Sequence, residues 1–359
     1  MLLDDNHNQM RSPRRRVVHL VIAAAFGSSL LFAQFEPPHS QVPHQETPEE
    51  QDQSPTIKID VNLVNILYSV KAKKGGALIP NLEQSNFTVF EDGKQQKIQR
   101  FTRETDLPIT LGLLIDVSLS QENLVGIERQ AASSFFDAVI RKKDEAFVIA
   151  FGKDVQLLQD MTGSPRQLSA SMNDLQPDAE PPRMGRVPVN TGPVPQSGSP
   201  KGTLLYDAIV LASNEKLTGE VGRKALILVT DGDDMGSTYD RKAAIQAAQK
   251  ADAIIFSIYY VDRGFYARGG FSFGGGGEGE LKKMSEETGG QVFTVSGKHP
   301  LSEVFKEIQD ELRNQYSIAY SPENANRDGG FRHIEIKVDK PDDRVQARNG
   351  YYATPNGAQ

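Results

Sequence analysis

Cysteine and tryptophan are absent from this sequence, and histidine is scarce, with six residues in 359. Without cysteine the chain cannot form disulfides, thiolate zinc sites, iron–sulfur clusters or a cysteine nucleophile. Four of the histidines precede residue 56, so only His299 and His333 remain for the rest of the chain. This distribution argues against a histidine-based catalytic triad and against a histidine-rich zinc site.

An excess of positive charge is also missing. The chain has 40 Lys and Arg against 47 Asp and Glu, a formal net charge of −7, and its body carries no basic block. Nucleic-acid binding depends on such a block, so nucleic acid is not an expected partner. The length is sufficient for one large domain or two ordinary domains, each with its own core.

The N-terminal segment has the pattern of an export signal. Four arginines between positions 11 and 16 precede an apolar run of 17 residues, 17–33. This arrangement predicts a signal peptide over residues 1–33, with an uncleaved N-terminal membrane anchor as the alternative. The protein is therefore expected to be exported, to the periplasm, the cell surface or the medium. Residues 34–56 are rich in Pro, Gln and Glu with few aliphatic residues, which predicts a disordered linker.

Strand patterns lie on both sides of a long central region. Ile57, Ile59, Val61 and Leu63 alternate with polar residues, and turn signals follow at 73–76 and 91–94. Residues 57–105 therefore predict three or four strands, and residues 316–353 predict about three more. Since short sheets need a second layer, we expect the two segments to pair into one β-sandwich around the central region. Two separate small β elements are the alternative.

The central region, 106–315, alternates apolar runs with amphipathic helical stretches. The runs occupy 109–115, 146–151, 225–229, 253–261 and, more weakly, 291–295. The helical stretches occupy 124–140, 166–175, 204–217, 240–251, 280–288 and 301–315. Continuous apolar strands separated by helices predict an α/β fold with a doubly wound, mostly parallel sheet. This sheet would be inserted in, or flanked by, the small β-sandwich.

Oxygen-bearing side chains stand where these strands end. Asp116-x-Ser118-x-Ser120 follows the first central strand, Thr203 precedes a predicted helix, and Thr230-Asp231-Gly232 follows a later strand. In open α/β sheets, ligands bind at this carboxyl edge. Carboxylates and hydroxyls are hard donors that suit Mg²⁺. The pattern therefore predicts a metal site. Asp233 and Asp234 are expected to be loop acids, and Asp207 is expected to support the loop at Thr203.

Taken in this order, the three motifs resemble the metal-ion-dependent adhesion site of a von Willebrand factor type A (VWA) domain. The resemblance implies that Ser118, Ser120 and Thr203 coordinate the cation, while Asp116 and Asp231 act largely through water. It also implies an open coordination position that takes an acidic side chain from a partner protein. The expected cation is Mg²⁺, with Mn²⁺ or Ca²⁺ as alternatives. The motifs at 87–93 and 350–352 in the flanking segments resemble the acidobacterial VWA-related family, so the resemblance covers residues 57–353.

Two long segments are expected to frame this site. Residues 178–202 contain six prolines, and residues 262–279 contain eight glycines. The glycine-rich segment carries the aromatic residues that we expect to contact a partner: Phe265, Tyr266, Phe271 and Phe273. Disorder without a function is the alternative for this segment.

These features favour an exported, cation-dependent protein-binding module for adhesion or assembly, and not an enzyme. One alternative is a structural or assembly component of the cell envelope whose metal site is non-functional. A metal-dependent hydrolase that uses Asp116 and Asp231 is less favoured, because no histidine lies near these residues and only two carboxylates flank a single metal.

Overall fold

The computed structural model describes residues 63–104, 107–178, 202–262 and 277–354. All of them belong to one compact unit, Ile59–Gln359. The expected signal peptide, 1–33, and the expected linker, 34–56, lie outside the described residues. Within the described ranges, no helix has the length and apolar character needed to cross a membrane.

Strands and helices alternate through the centre of the chain, and strands flank that centre. The strands are β1 (Val64–Ala72), β2 (Phe87–Glu91), β3 (Lys94–Gln96), β4 (Ile98–Glu104), β5 (Ile109–Asp116), β6 (Glu145–Phe151), β7 (Val155–Thr162), β8 (Arg223–Thr230), β9 (Ala253–Tyr259), β10 (Val292–Thr294), β11 (Gln315–Tyr320), β12 (Phe331–Val338), β13 (Asp343–Ala347) and β14 (Gly350–Tyr352). The helices are α1 (Val125–Val139), α2 (Pro165–Ser171), α3 (Leu205–Leu211), α4 (Arg241–Lys250), α5 (Gly277–Thr288) and α6 (Leu301–Arg313). Helix α3 continues as a π-helical segment, Ala212–Leu217.

The central sheet has the strand order β10-β9-β8-β5-β6-β7. Its pairs are parallel except for β6 with β7. Leu111, Leu113 and Ile115 of β5 belong to a core shared with α1, α2 and α6, whereas Leu114 belongs to a second core shared with α3, α4 and α5. Helices therefore cover both faces of the sheet, and the predicted doubly wound, mostly parallel α/β fold is confirmed.

The sequence does not predict the edge strand β7. This strand pairs only with β6, so its residues are half-buried or exposed. Leu157, for example, is 42% exposed. A strand at the edge of a sheet needs no continuous apolar run, so the pattern that identifies β5 and β8 is missing here.

The flanking strands form the predicted small β-sandwich. One sheet has the order β13-β1-β11-β4 and the other has the order β14-β12-β2-β3. The N-terminal and C-terminal segments pair in both sheets, with Val64 opposite Tyr320 in one and Phe87 opposite Val338 in the other. Side chains from both sheets, including Ile66 and Ile336, share a single core.

Local turn chemistry fixes the register of the second sheet. Strands β2 and β3 are joined by Asp92 and Gly93, whose φ angles are +47° and +79°. Two positive φ angles are typical of the tight hairpin turn that Asp-Gly favours, and the turn predicted at 91–94 is found. Strand β1 begins at Val64, and the predicted alternation at 57–62 lies outside the described residues.

A buried arginine joins the two chain segments that connect the central α/β layer with the β-sandwich. Arg223, 1% exposed, donates hydrogen bonds to the carbonyl oxygens of Leu107 at 2.6 Å and of Leu312. Leu107 lies just before β5, and Leu312 lies near the end of α6. The preceding residue of α6, Glu311, accepts a hydrogen bond of 2.9 Å from Ser69 of β1. These contacts fasten the α/β layer to the sandwich.

Candidate metal centre

The site begins where two neighbouring parallel strands end. Asp116 is the last residue of β5 and Thr230 is the last residue of β8. The two strands pair in register, with Ile115 opposite Val229, so Asp116 and Thr230 arrive side by side at the carboxyl edge. Asp116 is fully buried there. The first and third motifs therefore lie at the carboxyl edge of the central sheet, as the sequence predicts.

The Asp116 carboxylate organises both of the loops that follow these strands. Its Oδ1 accepts the backbone N–H of Ser118 at 2.9 Å, and its Oδ2 accepts the hydroxyl of Thr230 at 2.6 Å. The same Thr230 hydroxyl accepts the N–H of Gly232 at 3.0 Å. Thr230 thus belongs to the site. It is not among the site residues predicted from the sequence, although it immediately precedes Asp231.

A chain of hydroxyl contacts connects the first motif to the third. The Oγ atoms of Ser118 and Ser120 are 3.0 Å apart. The Ser120 hydroxyl donates to Oδ2 of Asp231 at 2.7 Å. Asp116, Ser118, Ser120 and Asp231 are thus brought together by hydrogen bonds.

Thr203 reaches the same edge through its backbone. Its N–H donates to the carbonyl oxygen of Met235 at 3.2 Å, and its own carbonyl oxygen accepts the N–H of Met235 at 2.8 Å. Thr203 is 5% exposed. The start of α3 is therefore attached to the loop that carries Asp231, which brings the second motif beside the third.

Glycine is required at position 232. Its φ of +81° is a conformation that L side chains rarely adopt, and a Cβ there would lie 2.5 Å from the carbonyl oxygen of Gly277. Gly277 is the first residue of α5. The loop of Asp231 therefore packs directly against the start of this helix.

Other acids near the site hold the loop after Asp231 in place. Oδ1 of Asp207 accepts the backbone N–H groups of Thr238 and Tyr239 at 2.8 and 3.0 Å. Asp234 accepts the hydroxyl of Ser237 at 2.5 Å. Asp234 is thus a loop acid, as expected, whereas Asp207 contacts the loop at Thr238 and Tyr239, and the loop at Thr203 is held by Met235 instead.

Phe265, Tyr266, Phe271 and Phe273 lie outside the described residues, and their contact with a partner stays a prediction. The described residues that flank the two long segments are all at this edge. Asp262 accepts a hydrogen bond of 2.5 Å from Asn123, and Gly277 packs against Gly232. Asp178 donates its N–H to the carbonyl oxygen of Val117 at 2.8 Å, and Gly202 donates to Met235 at 2.8 Å.

Three acids, Asp116, Glu128 and Asp231, are buried at the site. Burial, and then the charge of Asp231, raises the pKa of Asp116 to about 7, although hydrogen bonds from Ser118 and Thr230 act in the opposite direction. Glu128 of α1 is also buried, and burial together with the charges of Asp116 and Asp231 raises its pKa well above the usual range. Both shifts express the cost of placing several carboxylates in one poorly solvated region, a cost that a cation relieves.

The donor set fits a hard divalent cation. The described residues contain no group of three or more His, Cys, Asp and Glu side chains arranged to hold a metal. The candidate centre therefore depends on two carboxylates, Asp116 and Asp231, and on hydroxyls, which are the residues that would hold the ion: Ser118, Ser120 and Thr203. Oxygen donors of this kind suit Mg²⁺ and do not suit soft metals.

Comparison with known proteins gives likenesses of structure. No family model matches the chain, and no curated protein matches it. Among solved structures, a VWA protein from Catenulispora acidiphila is 12% identical, with 82% of this chain and 73% of that chain covered and a TM-score of 0.42. The solved structures that match thus include a VWA structure.

Two further matches are a byssus matrix protein and a minor pilin. Proximal thread matrix protein 1 from the mussel byssus, with a zinc-occupied metal-ion-dependent adhesion motif, is 14% identical, with 62% of this chain and 50% of that chain covered and a TM-score of 0.44. The PilB minor pilin from Streptococcus sanguinis is 12% identical, with 62% and 64% covered and a TM-score of 0.40. The chain thus spans about half the length of the byssus protein. Likenesses at this level concern the fold alone.

Proposed function

We propose that this chain is an exported protein-binding module that captures a partner through a divalent cation. The observation that carries the proposal is the hydrogen-bonded chain Asp116, Ser118, Ser120 and Asp231 at the carboxyl edge of the central sheet. Residues from two separate parts of the sequence converge there, and the backbone pairing of Thr203 with Met235 attaches a third part beside them. Such preorganisation of oxygen donors is what a cation site needs.

The chemistry of the donors explains why an acidic partner would be chosen. Hydroxyl ligands carry no charge, so a bound Mg²⁺ keeps much of its own positive charge. Mg²⁺ also favours six oxygen ligands, and a carboxylate from another protein would complete this number. The attraction to the partner would then be local, because the chain as a whole carries a net charge of −7. Mn²⁺ and Ca²⁺ are the alternative ions.

Binding is favoured over hydrolysis by what surrounds the site. Of the two histidines in the described residues, His299 pairs with Glu307 on the surface and His333 lies in β12 of the sandwich. Asp116 accepts hydrogen bonds from Ser118 and Thr230 on both of its oxygens. Both oxygens of this carboxylate are therefore engaged in holding the two adjacent loops.

The location of the module is part of the proposal. Residues 1–33 would export the chain or anchor it in a membrane, and residues 34–56 would separate the folded part from that membrane. The aromatic residues Phe265, Tyr266, Phe271 and Phe273 would add contacts around the cation.

The test compares Ser118→Ala with Ser134→Ala. Ser134 lies on the exposed side of α1, where its hydroxyl bonds the carbonyl oxygen of Gln130 at 3.1 Å, so it is a matched control. Calorimetric titration with Mg²⁺ should give binding for the wild type and the control, and much weaker binding for Ser118→Ala. Capture of partners from an envelope extract should follow the same order and should be lost in EDTA.

Two outcomes would decide against the proposal. Capture that is insensitive to both EDTA and Ser118→Ala would favour the envelope component with a non-functional metal site. Hydrolytic turnover that disappears in Asp231→Ala would favour the hydrolase.

A further inference from the structure

Glu128 is a buried acid beside the candidate centre whose carboxylate has no hydrogen-bond partner among the described residues. It lies in the first turn of α1 and is 1% exposed. Neither Oε1 nor Oε2 has a hydrogen-bond partner among the described residues. Asp116, in contrast, has a partner on each of its oxygens. An ionised carboxylate is costly in such a position, since burial removes its solvation and nothing replaces it.

The groups that act on Glu128 make this cost larger. The charges of Asp116, at the end of β5, and of Asp231, after β8, both disfavour its ionised form. Glu128 in turn disfavours the ionised form of Tyr260, which follows β9. The adjacent cation on α1, Arg129, donates instead to the carbonyl oxygens of Met172 at 2.7 Å and Leu175 at 2.6 Å.

We propose that Glu128 is a third carboxylate of the cation centre, which holds a proton when the centre is empty and releases it when a divalent cation binds. This inference rests on the proposed function, because it requires that the centre take a cation. Glu128 would act through its charge and not as a ligand.

Electrostatics gives the direction of the coupling. Burial and the two neighbouring carboxylates hold the pKa of Glu128 well above the range of an exposed glutamate. A divalent cation held at the centre would add an attraction for ionised Glu128 that offsets the repulsion from Asp116 and Asp231, and in a poorly solvated region such an effect is large. The pKa of Glu128 therefore falls when the cation binds. By linkage, the affinity for the cation rises with pH over the interval in which Glu128 of the cation-free protein is protonated.

The experiment counts protons. Mg²⁺ is titrated into the full exported chain by calorimetry in buffers of different ionisation enthalpy, at several pH values, for the wild type, Glu128→Gln and Glu122→Gln. Glu122 is an exposed glutamate just before α1, so its replacement is the matched control. The wild type and Glu122→Gln should release more protons per Mg²⁺ bound than Glu128→Gln. The Mg²⁺ affinity of Glu128→Gln should be several-fold lower at the higher pH values and should depend less on pH.

A second variant and one control separate the possible failures. Glu128→Leu places an apolar side chain in the same buried position and should show the same loss of proton release, which guards against a folding defect of the amide variant. Equal proton release and equal affinity in the wild type and in both variants would overturn the role of Glu128 alone. A wild type that does not bind Mg²⁺ would overturn the cation centre itself and, with it, this inference.

Discussion

The hydroxyl of Ser120 donates a hydrogen bond of 2.7 Å to Oδ2 of Asp231, across 111 residues of sequence. A serine hydroxyl has one hydrogen to donate and two lone pairs to offer. Because Asp231 takes the hydrogen, the lone pairs of Ser120 are directed away from the carboxylate. This single hydrogen bond therefore orients two groups of the centre: the Ser120 oxygen, which would bind the cation, and the Asp231 carboxylate, which would support a cation-bound water.

Replacing Ser120 by alanine should weaken cation binding without unfolding the protein. For the wild type, Mg²⁺ at about 100 times its Kd should raise the free energy of unfolding by about 2.7 kcal/mol. In Ser120→Ala, the loss of a ligand and of the contact to Asp231 should reduce the affinity roughly tenfold, or about 1.4 kcal/mol. Thermal unfolding over a Mg²⁺ titration measures both. An unchanged response in Ser120→Ala, with Ser134→Ala as reference, would show that this hydroxyl is not a ligand.

Thr230→Val should disturb the site by removing the hydrogen bonds beneath it. The valine keeps the shape of the side chain but loses the hydrogen bond to Asp116 and the one from Gly232. The expected cost is about 1–3 kcal/mol in the free energy of unfolding, because buried polar groups lose their partners. The pKa of Asp116 should rise further, since the Thr230 bond lowers it. Denaturant unfolding at several pH values checks both effects.

Thr218→Val is the control for that experiment, because its hydroxyl bonds the carbonyl oxygen of Ser213 at 3.0 Å, outside the site. Its response to Mg²⁺ should equal that of the wild type. A normal Mg²⁺ response in Thr230→Val would contradict the role given to Thr230.

The cation-free protein should become less stable as the pH rises towards neutrality. The folded state holds a proton on Asp116 more tightly than the unfolded state, with a pKa raised from 3.8 to about 7. This contribution is therefore fully present below the usual aspartate pKa and is lost as the pH rises to about 7. Glu128 acts in the same direction. Mg²⁺ should oppose the loss, because it favours the ionised carboxylates.

The measurement is the free energy of unfolding in EDTA and in Mg²⁺, compared between the wild type and Asp116→Asn. The comparison is needed because exposed acids such as Asp160 and Asp328, whose pKa values are lowered, stabilise both proteins as the pH rises. The difference between the two proteins isolates the effect of Asp116. A difference in EDTA that does not change between acidic and neutral pH would refute the prediction.

Gly232→Ala should be more destabilising than Gly219→Ala. Both glycines have a positive φ, +81° and +88°, so both substitutions strain the backbone by about 1 kcal/mol or more. Only at Gly232 would the new Cβ also meet backbone atoms of Gly277, whereas nothing lies within 4 Å at Gly219. Chemical denaturation of the two variants measures the difference. Equal losses would mean that the close approach to α5 is unimportant.

Much of the fold is predictable from the sequence because buried strands and buried helix faces consist mainly of apolar residues in recognisable patterns. Strands β5 and β8 are buried along their whole length, and most of their residues form the apolar runs 109–115 and 225–229. The order of the motifs, each at a strand or helix end, also predicts which residues share an edge. The edge strand β7 leaves no such pattern, since its neighbours are on one side only.

The remaining site residues depend on contacts that no local pattern encodes. Thr230 matters because β5 and β8 are neighbours in register, which is a property of the sheet. Glu128 has a weak signal, because it falls on the buried stripe of α1 with Val125, Ala132 and Phe135. A single acid within an apolar stripe at helical spacing could have identified it.

The pairing of β1 has a mechanical consequence. This strand follows the chain that leads from the N-terminus, and it is hydrogen-bonded on both sides, from Val64 to Tyr68 with β11 and from Tyr68 to Ala72 with β13. A pull along the strand, applied to the chain ahead of Val64, loads these bonds together in shear instead of opening them one after another. If the protein is tethered through the chain ahead of Val64, tension on the tether would therefore be resisted by β1, an interior strand of its sheet.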